Sequence, residues 1–133
     1  MTVRHAINER RDLMLTVFRG ELTDEDLRSH LSEVRANPRF HRLMRELIDL
    51  RDVTDVLVSS KMMSASAHWL LHAPEARRAL VAPTDLLFGL ARMYQTHLGD
   101  IGAAQLGVFR ELGPALQWIG VEDEAELPGP PTK

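Results

Sequence analysis

The sequence contains no cysteine, which removes disulfides, thiol nucleophiles and Cys-based zinc sites together. Long apolar runs are also missing. The densest, such as Leu86-Leu87-Phe88, fall far short of the roughly 20 residues a membrane-spanning helix needs. The opening stretch, Met1 to Asp12, has no apolar core of the kind a secretory signal carries, so a cytoplasmic setting is expected. There is no surplus of positive charge. A net charge of −3 gives no general pull toward nucleic acid or anionic lipid. Lysine is scarce, only Lys61 and Lys133, so the basic charge is nearly all arginine. Arg35, Arg39, Arg42 and Arg45 gather locally with His41. That cluster reads as a solvated helix end or as a patch for a phosphate or an acidic partner.

Several catalytic signatures are missing as well. No Gly-x-Ser-x-Gly marks a serine hydrolase, and no glycine-rich loop is placed to cradle a phosphate. His68 and His72 stand four apart, but Trp69 occupies the position where a zinc protease carries its glutamate, and a third ligand is not evident. They read as surface histidines. No nucleophile–base pair, metal set or cofactor site can be assembled. The expectation is a non-enzymatic protein with no catalytic residues and no cofactor.

What remains is an ordinary globular composition. Hydrophobic residues make up 44% and charged residues 26% of 133 positions, enough for one domain with a real core. Val3 to Asn8 and Leu13 to Phe18, around the polar turn Glu9 to Asp12, read as an antiparallel hairpin stopped by Gly20. Thr23 is placed as an N-cap with Asp26 as its capping-box acid, and Leu22 and Leu27 as a hydrophobic staple. Leu27, Leu31 and Val34 form one apolar stripe, so the helix that follows lies on a sheet until Asn37-Pro38 ends it. A strand is expected from Met44 to Leu50, then a loop from Arg51 to Val58. Ser59 or Ser60 then caps a helix reaching about His72, which Pro74 breaks. A short buried strand follows at Arg77 to Ala82. The next helix starts at Pro83-Thr84-Asp85 and ends near Gly99, with Leu86, Leu87, Leu90, Met93, Tyr94 and Leu98 on its buried arc. Leu106 to Phe109 is the last strand. Glu111 to Ile119 is the last helix, with Pro114 in its first turn. Residues 1–120 thus form the domain, and 121–133, acidic and then rich in Pro and Gly, read as a flexible tail. The order β-β-α-β-α-β-α-β-α implies a mostly parallel α/β sheet with its first strand antiparallel at an edge.

This order, with the stretches FRGELTDEDL (Phe18 to Leu27), ELIDLR (Glu46 to Arg51), LLFGLARMYQ (Leu86 to Gln95) and VFRELGPALQWIG (Val108 to Gly120), resembles the SpoIIAA-like family, the single-domain bacterial proteins of STAS/SEC14 type. The resemblance implies a mixed, mostly parallel five-stranded sheet with an antiparallel N-terminal strand and four helices. It also implies a regulatory, non-enzymatic interaction module that binds a protein partner or itself, as a homodimer. The alternative it implies is a SEC14-like carrier of a small apolar or lipid-like ligand, held between helices and sheet. Signalling STAS domains carry Asp-Ser-Ser/Thr-Gly at the turn from the strand after the first helix, where a kinase acts. Here that region reads Asp49-Leu50-Arg51-Asp52-Val53-Thr54-Asp55, and the serines come later.

Two candidate sites follow. The first is the strand-to-helix junction, where α/β folds commonly meet their ligands, with Asp49, Asp52, Asp55, Ser59 and Ser60 as partner-binding or regulatory residues. The acids read as loop charge or as magnesium ligands, and the serines as helix caps or as phosphorylation sites. The second is a ligand pocket formed by Met62, Met63, Trp69, Gly89, Arg92, Met93 and Tyr94. A glycine inside a helix needs a reason. Gly89 reads as a point of close helix–strand packing, or as an opening for an apolar ligand whose acidic head meets Arg92. The Met and aromatic set reads as core or as adaptable lining. Self-association would use apolar residues exposed on the helix from Met62 to Leu71.

Overall fold

The computed structural model describes residues 3–68, 72–73, 75–99 and 105–129. β1 (Val3–Asn8) and β2 (Leu13–Thr23) are the expected hairpin, joined by a short 3-10 turn. Asp12 closes that turn in the left-handed region at φ 50°. α1 (Asp24–Ala36) starts with the capping box, Thr23 accepting from the Asp26 amide and Asp26 from the Thr23 amide. β3 (Arg45–Leu57), α2 (Ser60–His68), β4 (Arg78–Val81), α3 (Asp85–His97), β5 (Leu106–Phe109) and α4 (Leu112–Trp118) complete the order of described elements, with a second 3-10 turn at Glu124–Glu126.

The sheet runs β1-β2-β3-β4-β5 in space, with β1 antiparallel to β2 and all other pairs parallel. Each strand lies beside its sequence neighbour, so successive right-handed crossovers put α1, α2 and α3 on one face. α4 packs on the other. Strand alternation separates the two faces residue by residue. Phe18, Ile48, Leu50, Leu80 and Leu106 point toward α1–α3. Leu13, Leu15, Val17, Leu47, Ala79 and Val81 point toward α4, against Ala115, Leu116 and Ile119.

Two expectations change. β3 does not stop at Leu50. It continues to Leu57 because β2 also continues, past bulges at Val17/Arg19 and Gly20/Glu21, and Arg19 to Thr23 pair with Asp52 to Leu57. Gly20, at φ +69°, supplies the left-handed residue that such a bulge favours, so it bends the strand rather than ending it. The expected loop from Arg51 to Val58 is therefore mostly strand, and its inward residues Val53 and Val56 join the core. α2 is described from Ser60 to His68, and the rest of the helix expected there, up to about His72, lies at 69–71, outside the described residues. The second change is the stretch after Gly120. Val121 is buried, Leu127 packs against the α4-side core, and Glu126 pairs with Arg11. Residues 121–129 are thus laid back on the domain, in contrast to the expected tail, and 130–133 lie outside the described residues.

Candidate functional site

Between the sheet and α1–α3 lies a cavity of about 170 Å³. Its walls are apolar over most of their extent. Phe18, Ile48, Leu50 and Leu80 come from the sheet, Leu27, Leu31 and Val34 from α1, and Met63 and Ala67 from α2. Leu87, Leu90, Ala91 and Tyr94 come from α3, at the helical spacing that keeps them on one face, and Leu98 from its C-terminal cap. Leu22, Val53 and Val56 of the projecting β2–β3 ribbon close it from the side.

One end of this cavity is polar. Glu46, the second residue of β3, shares the face of Ile48 and Leu50 and is 4% exposed. Its Oε2 accepts a 2.6 Å bond from the Thr16 hydroxyl on β2. Arg78, level with Glu46 across the β3–β4 ladder, lines the same end. His72, on the approach to β4, sets its Nε2 3.6 Å from Glu46 Oε1, and His30 enters from α1. Both histidines are buried, at 8% and 7% exposure. His72 Nε2 and His30 Nδ1 have no hydrogen-bond partner.

The electrostatics follow from burial. Burial pushes the Glu46 carboxyl up from its ordinary value, against the pull of Arg78 and the Thr16 hydrogen bond. His72 is held down to about 3, first by burial and then by the positive charge of Arg78. His30 is held down to about 4 by burial and by His5. Both imidazoles are therefore neutral at pH 7, and at 3.6 Å the His72–Glu46 contact is neither an ion pair nor a hydrogen bond. Aromatic edges fix both rings. Phe40 stands 5.1 Å from the His72 ring, and Phe18 stands 5.8 Å from the His30 ring. An unpaired buried polar atom costs roughly 1–3 kcal/mol, so this end of the cavity holds hydrogen-bonding capacity that the chain itself leaves unused.

The expected pocket residues divide. Met63 and Tyr94 line the cavity. Met62 is buried but is not part of the lining. Gly89, Arg92 and Met93 face solvent on the outer side of α3, and a Cβ built on Gly89 meets nothing within 4 Å. Gly89 therefore neither packs closely on a strand nor opens the cavity, and Arg92 is not placed to meet a ligand head inside it. Leu86 is likewise turned out, at 64% exposure. Trp69 lies outside the described residues.

The junction residues do not converge on a common point. Asp49 points to the α4 side, where it binds Arg51 through its backbone amide at 2.9 Å and its guanidinium at 3.0 Å. Asp52 stands 3.7 Å from Arg19, and Asp55 accepts from the Val56 amide. Among the described residues no group of three or more His, Asp or Glu is arranged to hold a metal. Ser59 is the cap of α2, accepting from the Met62 amide at 3.0 Å. Its own amide and hydroxyl donate to Asp24, at 2.7 and 2.8 Å. Those bonds hold the Asp24 carboxyl below the usual range and tie the start of α2 to the start of α1. A phosphate on Ser59 would stand against that carboxylate, an unfavourable pairing. Ser60 is exposed in the first turn of α2.

Three members of the basic cluster, Arg39, His41 and Arg45, make structural contacts. Arg45 donates to the carbonyls of Ile119 and Arg11, Arg39 lies 3.4 Å from Glu9, and His41 bonds Asp12 at 2.7 Å. His72, expected at the surface, is inside. The side chain of His68 is not described.

Part of the polar end was available to sequence reasoning. Glu46 alternates with Ile48 and Leu50, Thr16 stands between Met14 and Phe18, and His30 falls on the Leu27–Leu31–Val34 stripe. His72 carries no such signal, because it follows a helix end and precedes Pro74.

No family model and no curated protein matches the sequence. Among solved structures, the chain is similar to an uncharacterized protein of the DUF3478 family with a SpoIIAA-like fold from Shewanella loihica PV-4. The two share 17% identity at a TM-score of 0.57, over 88% of this chain and 93% of that one. The chain thus has the SpoIIAA-like α/β fold that the resemblance implied. No helix among the described residues is long and apolar enough to cross a membrane.

Proposed function

We propose that the protein is a non-enzymatic binding module of STAS-like fold that holds a small apolar molecule in the cavity between its sheet and α1–α3, in a cytoplasmic setting. The observation that carries this reading is the cavity itself, apolar along its walls and closed at one end by buried polar groups. That combination, an apolar site with a few convergent polar atoms, is typical of small-molecule sites. The volume limits the occupant. An engineered apolar cavity of roughly 150 Å³ takes up benzene, so about 170 Å³ suits one ring or a short branched chain, or the tip of a longer lipid-like tail.

The test uses p-xylene as an uncharged apolar probe. Saturating p-xylene is expected to raise the thermal midpoint, since a ligand that binds only the folded state stabilises it. Ala91→Leu, which fills the cavity from α3, is expected to abolish that shift. No shift in the wild type with either p-xylene or its hydroxyl analogue p-cresol, or an equal shift in Ala91→Leu, would show that the cavity is not a binding site.

A second reading, attachment of a protein partner, rests on the β2–β3 ribbon. β3 pairs with β4 only from Glu46 to Asp49, so among the described strands its edge from Leu50 to Leu57 has no neighbour on that side. An extended peptide can add to such an edge. Expected self-association through α2 finds less support, because Met62 is buried and residues 69–71 lie outside the described ones.

A further inference from the structure

The polar end of the cavity fixes what kind of head group a ligand there would carry. This inference rests on the cavity being a binding site and goes further by naming the chemistry it selects. His72 Nε2 and Glu46 Oε1 face each other across 3.6 Å, too far to bond directly. One oxygen set about 2.8 Å from each would bridge them. Glu46 Oε2 is already taken by Thr16, which leaves Oε1 as the carboxyl atom with capacity to spare. His30, whose Nδ1 is also buried without a partner, lines the same cavity.

We propose that the cavity binds a small apolar alcohol or phenol, with the ligand hydroxyl bridging His72 Nε2 and Glu46 Oε1.

A hydroxyl is favoured because it both donates and accepts. With His72 protonated on Nε2, the hydroxyl accepts from the ring and donates to the carboxylate. With the other tautomer and a protonated Glu46, both bonds reverse and remain satisfied. Charged heads fit less well. A carboxylate or phosphate would be buried against the Glu46 carboxyl, which is 4% exposed, and only Arg78 would offset it. An ammonium would be buried beside Arg78 and two imidazoles that are already held neutral by their surroundings. A purely apolar ligand would leave His72 Nε2 and Glu46 Oε1 without partners and dry, the costliest arrangement for buried polar atoms.

The experiment compares p-cresol with p-xylene, near-isosteres that differ by a hydroxyl for a methyl, by calorimetric titration of the full chain. A cavity with no polar recognition prefers p-xylene, because the hydroxyl must be stripped of water for nothing in return. The proposal expects the reverse, p-cresol binding at least about tenfold tighter, the equivalent of roughly 1.4 kcal/mol. His72→Phe is expected to remove that preference while p-xylene still binds. Should His72→Phe fail to fold, Glu46→Gln and the imidazole nitrogen shifts of the wild-type protein provide the same answer. The His72 Nε2 resonance is expected to move with p-cresol and not with p-xylene. Tighter p-xylene binding, or an unmoved His72 resonance, would overturn the hydroxyl bridge and leave the apolar cavity standing. Tighter binding of p-methylbenzoate than of p-cresol would overturn the uncharged head and point to Arg78. If neither p-cresol nor p-xylene binds, both the bridge and the proposed function fall.

Discussion

The two faces of the sheet are built from the same strands but on different terms. On the α4 side, Leu13, Leu47, Val81, Ala115 and Ile119 are at most 1% exposed and meet one another directly. The polar group buried there, Asp49, is satisfied within two residues by Arg51. On the other side, the same strands present Thr16, Glu46 and Arg78 among their apolar residues, and the helices stand off far enough to leave a void. Protein interiors are normally close-packed, so a void beside unpaired polar atoms is a cost the fold carries. One face supplies stability, and the other gives part of it up to a cavity with a polar end.

The largest expected effect breaks the packed face. Leu47→Ala removes a side chain that is 1% exposed and has no void to collapse into, so a loss of about 3 kcal/mol is expected in urea unfolding. A loss below about 1 kcal/mol would mean that the two faces are not packed differently.

The next prediction turns on acid. His30 titrates near 6.5 when unfolded and is held to about 4 when folded, so the unfolded chain binds more protons between those values. Its contribution is intact above pH 6.5 and lost as pH falls toward 4. Glu46, pushed up by burial, acts with the opposite sign, favouring the fold at low pH and losing that advantage as pH rises through its folded value. Wild-type stability minus that of His30→Leu isolates the histidine. It is expected to drop by about 2 kcal/mol between about pH 7.5 and about pH 5, followed by urea unfolding at each pH. A difference that stays constant with pH would show that His30 is not buried neutral on the cavity face.

The smallest effect belongs to neither face. Gly89 looks outward from α3 with open space around its Cα, so Gly89→Ala is expected to stabilise by about 0.5–1 kcal/mol and to leave p-xylene binding unchanged. A destabilised variant would return Gly89 to a packing role.

Comparison with the sequence shows where local signals suffice. The hairpin, the Thr23–Asp26 capping box and the alternation of helices with strands are each written in a few neighbouring residues, and the sheet order follows from them. The continuation of β3 was hidden because it depends on a bulge in another strand. Arg51 to Val58 looks like a polar loop until Gly20 bends β2 alongside it. The outward turn of Met93 and Leu86 was hidden for a related reason, since apolar residues nearly surround α3 and only tertiary packing selects the inner arc. The cavity was half legible. Its walls follow from periodicity and Glu46, Thr16 and His30 sit on readable faces, yet a void is a property of how elements stand apart, which no single stretch records. Reading the carboxyl end of β3 as the working edge also pointed away from it, because Glu46 and Arg78 lie at the amino ends of their strands.

The sequential strand order bears on how the protein comes off the ribosome. Thr16, His30, Glu46, His72 and Arg78 fall within the first 78 residues, and each strand docks on the one made just before it. The polar floor is therefore specified before α3 has been synthesised, and α3 arrives as the lid that encloses it. α4 emerges last and touches only the opposite side. During synthesis, domains form from the amino terminus onward, so there is an interval in which the unpaired nitrogens are still open to water.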